Sequence, residues 1–201
     1  MSASFADLHI KMLQVAQECV GLGARIRTIN LITGLPHNVL TKLFFQHQSA
    51  APRGRPPDSV EWYHSTNLAH QVEGCVFIGH YKRLRDRGFT PVTSLVSAYK
   101  HYRNVLVGSP RIQFDRAFDL ASHFEGRWIA NSRSFDLIGC ENCGCEFLTA
   151  IGGTSSDPCP FCKLSRRFSF DRRVKDSFPM RESPTNGSFA SASAAVNACV
   201  A

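Results

Sequence analysis

At 201 residues with 43% hydrophobic and 19% charged side chains, the chain has room for one sizeable domain or a domain plus an appendage. No apolar run nears the roughly 20 residues that cross a bilayer, which excludes a helical membrane protein, and Asp7 stands where a secretory leader would be basic, so a cytoplasmic location is expected. The net charge of +7 points to acidic partners.

Residues 5–20 place Leu8, Met12, Val15, Ala16 and Cys19 on one stripe, the pattern of an amphipathic helix. Residues 24–33 are helical in character and stop at Gly34, a residue free to take positive φ; Pro36 is placed to open another helix. Together, residues 27–45 have the form of a helix-turn-helix that buries Ile29, Leu35, Leu40 and Leu43. In that arrangement His37, Asn38, Thr41 and Lys42 face outward, where they can reach phosphates or base edges, and Arg25 and Arg27 add backbone contacts. A plain helical hairpin fits the same residues.

Residues 49–58, with three prolines, a glycine and the pair Arg53 and Arg55, read as a basic extended linker. A longer helix is expected over 66–87, closed by Arg87–Gly88. Thr90 caps the next one ahead of Pro91, with Leu95, Tyr99, Tyr102 and Leu106 on one face. Ser109 and Pro110 repeat that grammar before the stripe Phe114, Ala117, Phe118, Ala121 and Phe124, which ends at Gly126. These aromatic stripes read as core, as do the thiols Cys19 and Cys75. Only 128–140 has strand-like colour. From Pro179 onward the composition turns to Ser, Ala, Asn and Gly, a disordered tail by composition.

Five of the eight cysteines fall between 140 and 162. Cys140-x-x-Cys143 and Cys159-x-x-Cys162 stand 15 residues apart, the spacing of a four-thiolate metal site. Each Cys-x-x-Cys turn offers two sulfurs to one ion; Gly144 relieves the first turn and Pro158 and Pro160 stiffen the second. Disulfides are disfavoured in a reducing compartment, and a redox pair is disfavoured by the doubled motif. One structural zinc ion is the expected occupant; four thiolates also suit an iron–sulfur cluster, and Cys145 competes with Cys143 as a ligand. From Lys163 to Arg181, seven basic residues (Lys163, Arg166, Arg167, Arg172, Arg173, Lys175, Arg181) face two acids, Asp171 and Asp176, which suits a phosphate backbone.

The order of these pieces resembles the FlhC family, a subunit of the bacterial flagellar master transcriptional activator. The resemblance runs from about residue 8 to 175. It is carried by LGARIRTI (22–29), LPHNVLTKLFF (35–45), APRGRPPDSVEWYHS (51–65) with Ser59, Trp62 and Tyr63, VSAYKHYRNV (96–105), FDRAFDLASHF (114–124) and the cysteine pairs. The family carries Ser-Arg-x-Arg where this chain has Leu35-Pro36-His37-Asn38. The resemblance implies a mostly helical, non-enzymatic DNA-binding protein with structural zinc on Cys140, Cys143, Cys159 and Cys162. It also implies assembly with an FlhD subunit into a heterohexamer that binds double-stranded promoter DNA of flagellar genes and recruits RNA polymerase.

The expected architecture is mostly α: N-terminal helices with a helix-turn-helix-like part over 1–48, the linker 49–58, a helical core over 59–130, a zinc-ribbon-like four-cysteine module over 131–165, a basic segment over 166–182 and the tail 183–201. The DNA-contacting set is Arg25, Arg27, His37, Asn38, Lys42, Arg53, Arg55, Arg166, Arg167, Arg172, Arg173 and Lys175. Two other classes compete. A zinc-ribbon RNA- or ribosome-associated protein would stack Phe161, Phe168 and Phe170 on unpaired bases. A thiol enzyme is opposed by the nearest histidine before the cluster, His123, standing 17 residues away.

Overall fold

The computed structural model describes residues 5–46, 61–106, 109–154 and 158–178; Arg53, Arg55, Ser59, Pro179, Arg181, Cys199 and the 183–201 tail lie outside them. The chain is mostly helical. It runs α1 (Phe5–Gly21), α2 (Ile26–Thr33), α3 (His37–Leu40) with a π-helical turn (Thr41–Phe45), α4 (Glu61–Ser65), α5 (Leu68–Asp86), α6 (Pro91–Val105) and α7 (Phe114–Glu125). A hairpin of β1 (Phe135–Gly139) and β2 (Glu146–Ala150) follows, then α8 (Pro160–Phe168) and α9 (Arg172–Ser177).

The core is built around α5. Val72, Glu73, Gly74 and Cys75 are buried in succession and Phe77, Ile78 and Tyr81 follow them, so this helix is covered on nearly every side. It packs against α6, α7, β2 and α8. Local chemistry sets the helix ends as the residues imply. The Thr90 hydroxyl accepts from the Thr93 amide at 3.2 Å with Pro91 in the first turn, and α7 stops at Gly126 with φ of 69°. A Cβ on Gly126 would meet the Arg133 amide nitrogen at 2.8 Å, so only glycine fits that stop.

Three local expectations are corrected. The stripe on α1 buries only its second half: Ala16 and Cys19 are enclosed, Met12 and Val15 half-buried, but Leu8 is 52% exposed. Leu43 is 57% exposed because the chain widens into a π turn after Leu40. The Thr41 hydroxyl donates back to the His37 carbonyl at 2.8 Å, the kind of bond that bends a helix, and Phe44 and Phe45 turn inward in place of Leu43. Ser109 does not cap α7, which starts instead after Gln113. Bonds from α6 hold the intervening bend in place: the Tyr99 hydroxyl donates to the Ile112 carbonyl at 3.0 Å and the Ile112 amide donates to the Tyr102 hydroxyl at 3.2 Å.

Three buried acids tie the helices together. Glu73 accepts from the Tyr102 hydroxyl and from Arg111, whose amide lies 3.1 Å away and whose guanidinium forms an ion pair with it. Asp115 on α7 takes the Arg25 amide at 3.1 Å, the Arg25 guanidinium at 2.9 Å and the Thr28 hydroxyl at 2.5 Å, so it caps α2 from across the core. Asp119 accepts from the Trp62 indole at 2.7 Å, and Arg116 lies 4.5 Å over the same indole.

Candidate metal centre

The hairpin makes the first half of the site. β1 and β2 pair antiparallel from Phe135↔Ala150 to Gly139↔Glu146, leaving residues 140–145 as the turn. The Cys140 amide donates to the Cys145 carbonyl at 3.0 Å and the Gly144 amide to the Cys140 carbonyl at 2.8 Å. Gly144 sits at φ of 72°, the left-handed region that lets the chain close so tightly. The second half is the start of α8: Cys159 precedes Pro160 and Cys162 lies within the first turn, so both sulfurs sit at a helix N-terminus that favours negative charge.

The Sγ atoms of Cys140, Cys143, Cys159 and Cys162 all lie within 4.8 Å of one another. Two separations, Cys140–Cys162 and Cys143–Cys159, are 3.7 and 3.8 Å. Tetrahedral coordination with metal–sulfur bonds of about 2.3 Å puts sulfurs about 3.8 Å apart, so the cage has the size of a tetrathiolate metal site. The same separations are nearly twice a disulfide bond. Cys140 and Cys159 are buried and the other two half-exposed.

The sulfurs differ in how readily they ionise. Amides of Cys143 and Asn142 directed at the Cys140 sulfur bring its thiol down to about 7. Burial pushes the thiols of Cys159 and Cys162 up, so a cation has to compensate for ionising the whole set. The Asn142 side-chain amide donates to the Cys162 sulfur at 3.2 Å, supporting a ligand from outside the coordination sphere.

Cys145 is 3% exposed and lies outside the four-sulfur group. Cys145→Ser is therefore expected to retain the full metal content of the unmodified chain, and a metal-free Cys145→Ser protein would contradict this ligand set.

The module is anchored to the helical core through contacts that periodicity does not reveal. The buried Cys75 sulfur takes the Leu148 amide at 3.3 Å and lies 3.2 Å from the Tyr63 hydroxyl; Tyr63 also meets Phe135 edge-on at 5.4 Å. Burial pushes Cys75 up to about 11 and Cys19 up to about 12, so both stay neutral core thiols, as their apolar faces imply. Lys82 and Glu146 pair across the same junction at 3.5 Å.

The basic residues fall into groups. Leu164 faces inward from α8 while Arg166 and Arg167 are exposed. After the turn, Asp171 accepts from the Arg173 amide at 3.0 Å, and α9 exposes Arg172, Arg173 and Lys175. Arg27, His37, Asn38 and Lys42 are exposed on α2, α3 and the π turn, whereas Arg25 is half-buried against Asp115. Arg53 and Arg55 lie outside the described residues. Glu73, Arg111 and Asp115 escaped the sequence reading because their partners are distant along the chain, as did the contacts that Tyr63 and Cys75 make with the hairpin; the one local hint is an acid within an apolar stretch at Glu73.

A family model described as the flagellar transcriptional activator FlhC matches residues 6–175, which takes in the cysteine cage and the α9 cations. The chain belongs to the FlhC family. It is 28% identical over 160 residues to the flagellar transcriptional regulator FlhC of Burkholderia lata, covering 76% of this chain and 70% of the relative. The FlhC of Yersinia enterocolitica is 27% identical over 171 residues (82% and 84%), and that of Proteus mirabilis 26% identical over 181 residues (87% and 90%). Against these FlhC proteins the alignment covers most of both chains, so the family assignment applies to helical core and cysteine module alike. Among the described residues no helix is long and apolar enough to cross a membrane.

Proposed function

We propose that this FlhC-family chain is a DNA-binding transcriptional activator subunit. It works in the cytoplasm in a heterohexameric complex with an FlhD-like subunit, binds double-stranded promoter DNA of flagellar genes and recruits RNA polymerase. One observation carries the DNA part: a cage of four thiols from which two short helices run out with five exposed cations, Arg166, Arg167, Arg172, Arg173 and Lys175. Zinc suits the cage because a d10 ion accepts four thiolates tetrahedrally without geometric penalty. Cys140, Cys143, Cys159 and Cys162 would hold it. With four protein ligands there is no open position for a substrate, so the ion shapes the fold and does no chemistry itself, in keeping with a transcription regulator that is not an enzyme.

The cations grip phosphates in this reading, and Arg27, His37, Asn38 and Lys42 on the N-terminal helices and Arg53 and Arg55 of the linker add contacts. Arg25 stands apart, its guanidinium being held by Asp115. Each neutralised phosphate releases counterions, so the five C-terminal cations alone imply a log–log slope of affinity against salt of about −4.5. Titration of the full chain onto promoter duplex at several salt concentrations is expected to give that slope or a steeper one. Affinity that is indifferent to salt would overturn the mechanism.

An RNA-binding reading keeps one supporting observation, the 72% exposure of Phe170 beside Arg167. Phe161 and Phe168 are half-buried, so of these three rings one is well exposed for stacking. Direct competition between single-stranded RNA and duplex separates the two, with duplex expected to win.

A further inference from the structure

Glu73 is a carboxylate with no exposed surface in the middle of α5, and a charge so placed must be matched. Its match, Arg111, comes from the bend between α6 and α7. That bend is itself held from α6 by Tyr99 and Tyr102. Arg111 does not stop at Glu73. Its Nη2 donates to the carbonyl of Ser177, the last residue of α9, at 2.5 Å, and its guanidinium lies 5.2 Å from the centre of the Phe178 ring.

We infer that Arg111 is a positioning residue for nucleic-acid binding: it clamps the end of α9 to Glu73, so that Arg172, Arg173 and Lys175 face the same phosphate backbone as Arg166 and Arg167. This rests on the DNA-binding reading above. Three observations support it. A six-residue helix is far too short to hold its shape alone. Its internal pair, Arg172–Asp176, is 3.9 Å apart and almost fully exposed, so it contributes little. Orientation therefore comes from the ends: the Asp171 cap at the start, and the Arg111 fork on the last carbonyl, where a cation also suits the helix dipole. Only a planar guanidinium can pair with Glu73, reach Ser177 and lie over Phe178 together; an ammonium cannot.

The test uses the full metal-loaded chain and a mixed-sequence DNA duplex. Arg111→Lys keeps a positive charge beside Glu73 but loses the fork, while Phe178→Ala leaves the Glu73–Arg111 pair untouched. Both variants are expected to keep their metal and the cooperative melting of the core, to exchange α9 amides faster, and to bind duplex with a salt slope shallower by about two to three. That matches the slope expected of Arg172→Ala/Arg173→Ala/Lys175→Ala, and Phe178→Tyr, which keeps the ring, is expected to behave as the unmodified chain. Unchanged slope and exchange in Arg111→Lys and Phe178→Ala, beside a shallower slope in the triple variant, would overturn the positioning role and leave the DNA reading standing. An unchanged triple variant would remove α9 from the interface and the inference with it. No duplex binding by the unmodified chain would overturn both.

Discussion

Cys143→Ser and Cys159→Ser are each expected to lose the bound metal and unfold the segment from the hairpin to α9, while α5, α6 and α7 remain helical. Phe135, Phe147 and Leu148 of the hairpin pack onto the helical core, but within the module α8 buries only Pro160 and Leu164, so it has little apolar core of its own. Metal coordination couples to folding with on the order of 10 kcal/mol or more for such sites, which makes it the dominant local contribution. Limited proteolysis reads the result: new cleavage confined to about 135–178, with metal content near zero. A Cys143→Ser or Cys159→Ser protein that kept one ion per chain and the protease resistance of the unmodified protein would contradict the ligand set.

Glu73→Ala is expected to destabilise the whole chain by about 3–5 kcal/mol, because it leaves the Arg111 guanidinium without its counter-charge and strips partners from the Tyr102 hydroxyl and the Arg111 amide. Glu73→Gln keeps acceptor atoms for those donors but not the charge, and is expected to fall between. Urea unfolding measures both: the midpoint should drop with little change in slope. A Glu73→Ala unfolding free energy within about 0.5 kcal/mol of the unmodified chain would show that the network is not what joins α5, α6 and the 109–113 bend.

What the residues disclosed in advance follows from the range of the forces involved. The Thr90–Pro91 start, the Gly126 stop and the two Cys-x-x-Cys turns are written within a few residues of where they act, so local chemistry was enough to place them. Cys143 is favoured over Cys145 in the sequence because it gives two turns of equal length, and the geometry groups Cys143 and not Cys145 with the other three sulfurs. Ser109 misled for the opposite reason: it offers a cap, but Tyr99, Tyr102 and Glu73 together hold 111–112 in a bend, and α7 starts only at Phe114. Leu43 misled because a 3.6-residue period does not describe a π turn. Asp115 and Arg25, 90 positions apart, have no signature in any window of sequence. β2 went unread because it does not alternate: Phe147 and Leu148 are buried in succession, directly after a cysteine turn that draws attention to itself.

Zinc K-edge X-ray absorption on the purified full-length chain bears most directly on the claim that four thiols gather one ion and thereby set the basic helices. The expected spectrum has four sulfur neighbours at about 2.3 Å and no nitrogen or oxygen in the first coordination sphere. A sphere with nitrogen or oxygen ligands, or fewer than four sulfurs, would contradict the account.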